Sequence, residues 1–142
     1  MKPRFPLLAV VLGAALFGCN TYHYYDIDIQ GMSPVTEIQT STMNFCEVVV
    51  SGAASDTIGL TMGVGCPPLG FPDIGTIEYA TFADSGPITF TFNGYLMDVD
   101  PSDLCTTAST MLTASDQITQ MGMITLTSFN ETNCPPHVST PQ

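Results

Sequence analysis

The sequence has almost no positive charge. Its only basic residues are Lys2 and Arg4, whereas all 13 acidic residues follow position 19. From Cys19 onward the formal charge is therefore 0 − 13 = −13, with histidine neutral. Nucleic-acid binding needs Lys and Arg to neutralise phosphates, and Schiff-base chemistry needs a lysine. We therefore expect no nucleic-acid partner, and we expect attraction to basic proteins or cations.

Residues typical of catalysis are also scarce. The chain has 2 histidines, His23 and His137, and each lies near one end of the sequence. A Ser-His-Asp triad would have to recruit one of them, and no Gly-x-Ser-x-Gly nucleophile elbow is present. We assign no catalytic residue and expect a non-catalytic protein. The enzymatic alternative is a hydrolase that uses a pair of carboxylates.

The first residues have the order of a secretory signal. Lys2 and Arg4 form a short positive region, an apolar run covers residues 5–17, and Gly18 and Cys19 follow. This run is shorter than the roughly 20 apolar residues that a membrane-spanning helix needs. The stretch Leu16-Phe17-Gly18-Cys19 resembles the lipobox of bacterial lipoproteins, with Phe17 where a smaller residue is usual.

The resemblance implies cleavage before Cys19 and a diacylglycerol on the Cys19 thiol, with a further acyl chain such as palmitate on the new amine. Position 20 is Asn and not the Asp that resembles an inner-membrane retention signal. This difference favours the outer membrane. An ordinary cleaved signal, with Cys19 merely nearby, is the alternative. The predicted organisation is a signal peptide over residues 1–18, one acidic β domain over residues 19–134 and a disordered tail over residues 135–142.

The other cysteines are even in number, as expected for disulfides in an oxidising compartment. Of the three pairings open to four cysteines, we favour Cys46–Cys66 and Cys105–Cys134. A hairpin made by residues 45–50 and 57–64 would bring the first pair together. Zinc is the competing interpretation, but the sequence has no Cys-x-x-Cys pair.

Alternating apolar and polar residues predict an all-β fold, rich in Thr, Val, Ile and aromatic residues. Ile27 and Ile29 share one face of the first strand, and Ile88, Phe90 and Phe92 share one face of a later strand. About eight strands are expected, in an antiparallel β-sandwich or open barrel. Besides the hairpin above, the predicted strands cover residues 22–30, 35–40, 75–83, 88–96 and 118–129. Those at 75–83 and 88–96 are expected to form a second hairpin, and Gly122 is expected to mark a bulge or bend.

One segment has a helical pattern. Asp100 and Pro101 are typical of a helix start, and Leu104, Ala108, Met111 and Leu112 then recur at helical spacing. We therefore predict one short helix near residues 101–112.

Three sites are suggested by residue type. Asp98, Asp100 and Asp103 offer hard oxygen ligands for Ca²⁺, although a helix cap explains the same residues. His23, His137, Met121 and Met123 offer soft ligands for copper, although the methionines are also suited to packing. Tyr22, Tyr24 and Tyr25 follow Cys19 closely, either at the membrane–water interface or in a first strand.

These features predict a lipid-anchored, non-catalytic acidic lipoprotein of the cell envelope. It would act as a binding, adaptor or structural module, with no cofactor. A calcium-dependent adhesion or carbohydrate-binding module is the alternative in which Ca²⁺ is bound.

Overall fold

Strands form where the sequence alternates between apolar and β-branched or polar residues. The computed structural model describes residues 22–59, 72–82, 86–113 and 119–136. These residues form seven strands, one short α-helix and one 3-10 turn. The strands are β1 (His23–Gly31), β2 (Phe45–Gly52), β3 (Asp56–Gly59), β4 (Asp73–Thr81), β5 (Pro87–Tyr95), β6 (Leu104–Thr113) and β7 (Thr119–Leu126); the helix is α1 (Glu37–Thr40) and the turn is Pro101–Asp103.

The strands pair into two open sheets. Sheet A has the order β4-β1-β7, and sheet B has the order β3-β2-β5-β6. The predicted all-β sandwich is therefore confirmed. All strand pairings are antiparallel except that of β1 with β7, which is parallel. The sequence predicted antiparallel pairing and did not predict this parallel pair.

The core lies between the inner faces of the two sheets. Ile27 and Ile29 of β1 and Phe90 and Phe92 of β5 are almost completely buried, as their alternation predicts. Phe90 connects the sheets, because its ring lies 5.4 Å from that of Tyr25 in β1. Aromatic pairs at this separation stabilise by roughly 0.5–1.5 kcal/mol beyond the area that they bury.

The predicted strand at residues 35–40 is wrong. Thr36 caps α1 instead: its side chain accepts a hydrogen bond from the Gln39 backbone N–H, and the Gln39 side chain accepts one from the Thr36 N–H. This reciprocal arrangement is a capping box, which satisfies two backbone donors at a helix start. Local capping therefore outweighs the β-branched residues here.

The predicted helix over residues 101–112 is also wrong beyond its first turn. Asp100 does cap Pro101–Asp103, with its side chain accepting from the Ser102 N–H at 2.8 Å. The chain then becomes β6, which pairs with β5 along its length, from Leu104 opposite Tyr95 to Thr113 opposite Pro87. Strand pairing and the many threonines override the helical spacing.

The two predicted hairpins have different outcomes. β2 and β3 pair antiparallel, from Val50 opposite Asp56 to Glu47 opposite Gly59, so the first hairpin is confirmed as far as Gly59, and residues 60–64 lie outside the described residues. The second is wrong, because β4 belongs to sheet A whereas β5 belongs to sheet B. The connection between them therefore passes from one sheet to the other.

Gly122 does not mark a bulge. It lies opposite Ile27 in an unbroken register between β1 and β7. A Cβ atom at this position would lie 2.9 Å from side-chain carbons of both Ile27 and Leu112. The missing side chain thus lets β7 fit closely against residues from both sheets.

The predicted Cys105–Cys134 disulfide is confirmed, with its Cα atoms 5.4 Å apart. It fastens the start of β6 to the chain that follows β7. Cys46 is buried and also disulfide-bonded. Cys66, which we predict as its partner, lies outside the described residues, as do the signal segment, Cys19 and residues 137–142.

Candidate functional site

The outer side of sheet A carries three carboxylates, which we call the acidic face: Asp26 and Asp28 of β1 and Glu78 of β4. Asp26 and Glu78 lie directly opposite each other in the antiparallel register. The Asp28 carboxylate accepts a hydrogen bond from the Thr76 hydroxyl at 2.8 Å. No Lys or Arg occurs anywhere after position 4, so no basic side chain of this domain can neutralise these groups.

Exposed methionines border the acidic face on β7. Met121 lies beside Asp26 and Met123 beside Asp28 in the parallel register, with 82% and 51% of their surfaces exposed. Carboxylates and methionines together line a groove of about 380 Å³. Methionine side chains adapt to varied apolar surfaces. The groove thus combines negative charge with flexible apolar contacts, which suits a partner having both basic and apolar groups.

The enzymatic alternative needs two carboxyl groups that flank a scissile glycosidic bond. Asp26 and Glu78 lie side by side on neighbouring strands and on the same side of one sheet. A hydrolase that uses a pair of carboxylates stays a prediction.

Two of the three predicted calcium ligands, Asp100 and Asp103, accept local hydrogen bonds with their carboxylates. The Asp100 carboxylate accepts from the Ser102 hydroxyl at 2.6 Å and from the Ser102 N–H at 2.8 Å. These bonds hold the pKa of Asp100 below its ordinary value. The Asp103 carboxylate accepts from the Asp98 N–H at 3.1 Å. No three His, Cys, Asp or Glu side chains converge as a metal site within the described ranges, and calcium binding stays a prediction.

Among the described residues, the predicted copper ligands lie on different faces of sheet A. His23 shares the inward face of β1 with Tyr25, whereas Met121 and Met123 lie beside the outward-facing aspartates. His137 lies outside the described residues. Copper binding, too, remains only a prediction.

The outer side of sheet B carries a polar network that the sequence pattern does not predict. Glu47 is only 8% exposed, and its carboxyl oxygen accepts from the Tyr95 hydroxyl at 2.9 Å and the Asn93 amide at 3.2 Å. Burial, and then the hydrogen bond to Glu47, raise the pKa of Tyr95 to about 12. Asn93 in turn accepts from the Thr107 hydroxyl at 2.8 Å. These contacts satisfy a buried carboxyl group with neutral donors, which indicates a structural role.

An aromatic cluster lies where β1 begins. Tyr24 is 47% exposed and Phe82, just after β4, is 59% exposed. The Tyr22 ring lies 4.0 Å from that of Phe82 and 5.4 Å from that of Tyr24. We call these three residues the aromatic patch. Tyr25, which the sequence placed with Tyr22 and Tyr24, belongs instead to the core.

Comparison with models of known protein families finds no match, and neither does comparison with curated proteins. Among solved structures, the chain is similar to a fimbrial assembly protein from Parabacteroides distasonis, with 11% identity and a TM-score of 0.45. The similarity covers 75% of this chain and 52% of that one, so the chain spans about half of that protein's length. A likeness this weak carries neither function nor partner over to this chain.

Proposed function

We propose that this chain is a lipid-anchored, non-catalytic module of the bacterial envelope, held in the outer membrane through Cys19. The lipobox-like stretch Leu16-Phe17-Gly18-Cys19 supports the anchor. β1 begins at His23, four residues after Cys19, so the tether is short. In the part of the chain that the structure describes, no helix is long and apolar enough to cross a bilayer.

The module acts as an adaptor that binds a basic partner through the acidic face. The main support is that Asp26, Asp28 and Glu78 share one side of a sheet in a domain that contains no Lys or Arg. Such a surface attracts cationic groups and accelerates their encounter. Partner binding should accordingly weaken as ionic strength rises.

The test uses a synthetic peptide that alternates lysine and leucine as the probe. We expect the triple variant Asp26→Asn/Asp28→Asn/Glu78→Gln to bind this peptide at least roughly tenfold more weakly, which corresponds to about 1.4 kcal/mol. The matched control is Glu37→Gln/Asp98→Asn/Glu131→Gln, which removes the same charge from exposed positions elsewhere.

Calorimetric titration at low and moderate salt compares both variants with the unaltered protein. A selective loss in the first variant supports the acidic face. An equal loss in both would mean that net charge alone attracts the peptide, and the proposed binding surface would then be wrong.

A further inference from the structure

The aromatic patch lies at one end of the sandwich, which we call the tether end. There β1 begins, β4 ends and β7 begins, as shown by Tyr24 lying opposite Ala80 on one side and Thr119 on the other. Tyr22 and Phe82 meet edge to face. Their contact holds an apolar surface in a fixed shape, even though both residues are substantially exposed. Clustered exposed aromatic residues of this kind mark interaction surfaces.

The length of the tether determines what this surface can meet. Only three peptide steps separate Cys19 from Tyr22, and an extended chain spans at most about 3.6 Å per residue. A lipid-bearing Cys19 therefore stays within about 11 Å of Tyr22. The headgroup and interfacial layer on each face of a bilayer is about 5–7.5 Å deep, since the two layers thicken the bilayer from about 30 Å to about 40–45 Å. The reach of the tether is therefore at most about two such layers. An anchored domain must consequently hold the aromatic patch at or near the lipid headgroups.

The chemistry of the patch fits that location. Tyrosine is enriched at membrane–water interfaces, where its ring lies among apolar groups and its hydroxyl reaches water. Tyr22 and Tyr24 supply two such groups, and Phe82, just after β4, supplies a wholly apolar ring against Tyr22.

The negative charge beside the aromatic patch determines which lipid headgroups it can approach. Asp26 follows Tyr24 by two residues on the same face of β1, and Glu78 of β4 lies opposite Asp26. No basic residue of the domain is present to attract anionic headgroups, and a negative leaflet repels carboxylates. Zwitterionic headgroups avoid this repulsion while still admitting aromatic rings.

We propose that the aromatic patch inserts into the headgroup layer of a zwitterionic bilayer and so fixes the orientation of the anchored sandwich. This inference rests on the lipid anchor of the proposed function. The patch adds a second contact beside the acyl chains, and it keeps the acidic face directed away from the lipid. The anchored domain then has one preferred orientation instead of rotating freely about its tether.

The chain contains no tryptophan, so one introduced tryptophan reports a single location. The test compares Tyr22→Trp and Phe82→Trp with the control Met97→Trp. Met97 is 69% exposed and follows the end of β5. The end of β5 lies at the opposite end of the sandwich, where β6 begins and β7 ends. There the Asn130 N–H, after β7, donates to the Cys105 carbonyl at the start of β6 at 2.7 Å. Each acylated variant, which begins at Cys19, is reconstituted into phosphatidylcholine vesicles that contain brominated lipid.

We expect the tryptophans at positions 22 and 82 to emit at shorter wavelength on vesicles than in dilute buffer that contains neither lipid nor detergent. Brominated lipid should quench them several-fold more strongly than the tryptophan at position 97. Adding Phe82→Ser to the Tyr22→Trp variant should reduce the shift, whereas adding Met97→Ser should not. Replacing half of the phosphatidylcholine by phosphatidylglycerol should also reduce the shift.

Equal quenching at all three positions would overturn the proposal, because the domain would then have no preferred orientation. A wavelength shift that appears without lipid and grows with protein concentration would also overturn it, by showing that the patch binds a second copy. The mass of each sample is measured first. An unacylated Cys19 refutes the anchor itself, whereas an acylated protein without selective quenching refutes only the role of the patch.

Discussion

The two sheets share one interior but differ on their outer faces. On sheet A, Asp26, Asp28 and Glu78 extend toward solvent, and Asp26 and Glu78 face each other without an intervening cation. On sheet B, Glu47 is buried and accepts hydrogen bonds from Tyr95 and Asn93.

The difference shows how a domain without Lys or Arg accommodates its carboxylates. An exposed carboxylate is stabilised by water, and neighbouring like charges cost little. A buried carboxyl group loses that water and needs donors from the protein. Sheet B supplies neutral donors and gains rigidity, whereas sheet A leaves its charges available for a partner.

The largest expected effect concerns the interior that both sheets share. Phe90→Ala should lower the free energy of unfolding by about 3–5 kcal/mol, because it removes the ring that packs against Tyr25 and Tyr79 of sheet A. Ser109→Ala on the exposed side of β6 is the control and should change it by less than about 0.5 kcal/mol. Urea unfolding measures both, and similar values for the two variants would contradict the assignment of the core.

The next prediction compares the same chemical change on the two sheets. Tyr95→Phe removes a hydroxyl donor to buried Glu47, whereas Thr76→Val removes a hydroxyl donor to partly exposed Asp28. We expect the first to destabilise the fold by about 1–3 kcal/mol, because a buried acceptor loses a partner. The second should change stability by less than about 0.5 kcal/mol, since water replaces the hydroxyl. Equal effects in chemical denaturation would show that burial does not distinguish the two faces.

Alkaline pH should reveal the contribution of the Tyr95 hydroxyl in sheet B. Tyr95 has a folded-state pKa of about 12, above the ordinary unfolded value of about 10. Its contribution to stability is therefore complete below pH about 10 and is lost as pH rises toward about 12. Burial also raises the pKa values of Tyr25 and Tyr79, and these two residues therefore add to the loss of stability at alkaline pH.

Thermal melts across this pH range should show a steep decrease for the unaltered protein and a shallower one for Tyr95→Phe. If both proteins lose stability with the same slope, Tyr95 does not carry a raised pKa in the folded state.

The smallest predicted effect has the opposite sign and belongs to sheet A. Asp26→Asn should stabilise the fold by about 0.2–1 kcal/mol at low salt, because it removes a like charge directly opposite Glu78. The gain should shrink as added salt screens the repulsion, and moderate NaCl should raise the melting temperature of the unaltered protein. A melting temperature that decreases with NaCl would exclude repulsion as a significant force.

Local alternation predicted much of the fold. It identified the inward faces of β1 and β5, because one side of each strand is apolar along its length. The Thr36–Gln39 capping box was visible in the sequence as a Thr-x-x-Gln spacing and could have predicted α1. Long-range pairing could not be predicted in this way. Nothing local indicates that β7 pairs parallel to β1, or that β4 and β5 belong to different sheets.

The candidate site was predicted only in part. The charge asymmetry was evident from composition, but the acidic face depends on the register between β1 and β4. Similarly, Phe82 is far from Tyr22 in sequence, and only the pairing of His23 with Thr81 brings them together. The predicted calcium ligands lie close in sequence, yet Asp100 and Asp103 bond to the local backbone.

Intact mass spectrometry of the protein extracted from membranes tests the central proposal most directly. We expect a chain that begins at Cys19, carries the mass of a diacylglycerol and an additional acyl chain, and lacks the hydrogens lost in disulfide formation. A Cys19→Ser variant should lose the acyl mass and leave the membrane fraction. A full-length or cleaved chain with an unmodified Cys19 would contradict the account.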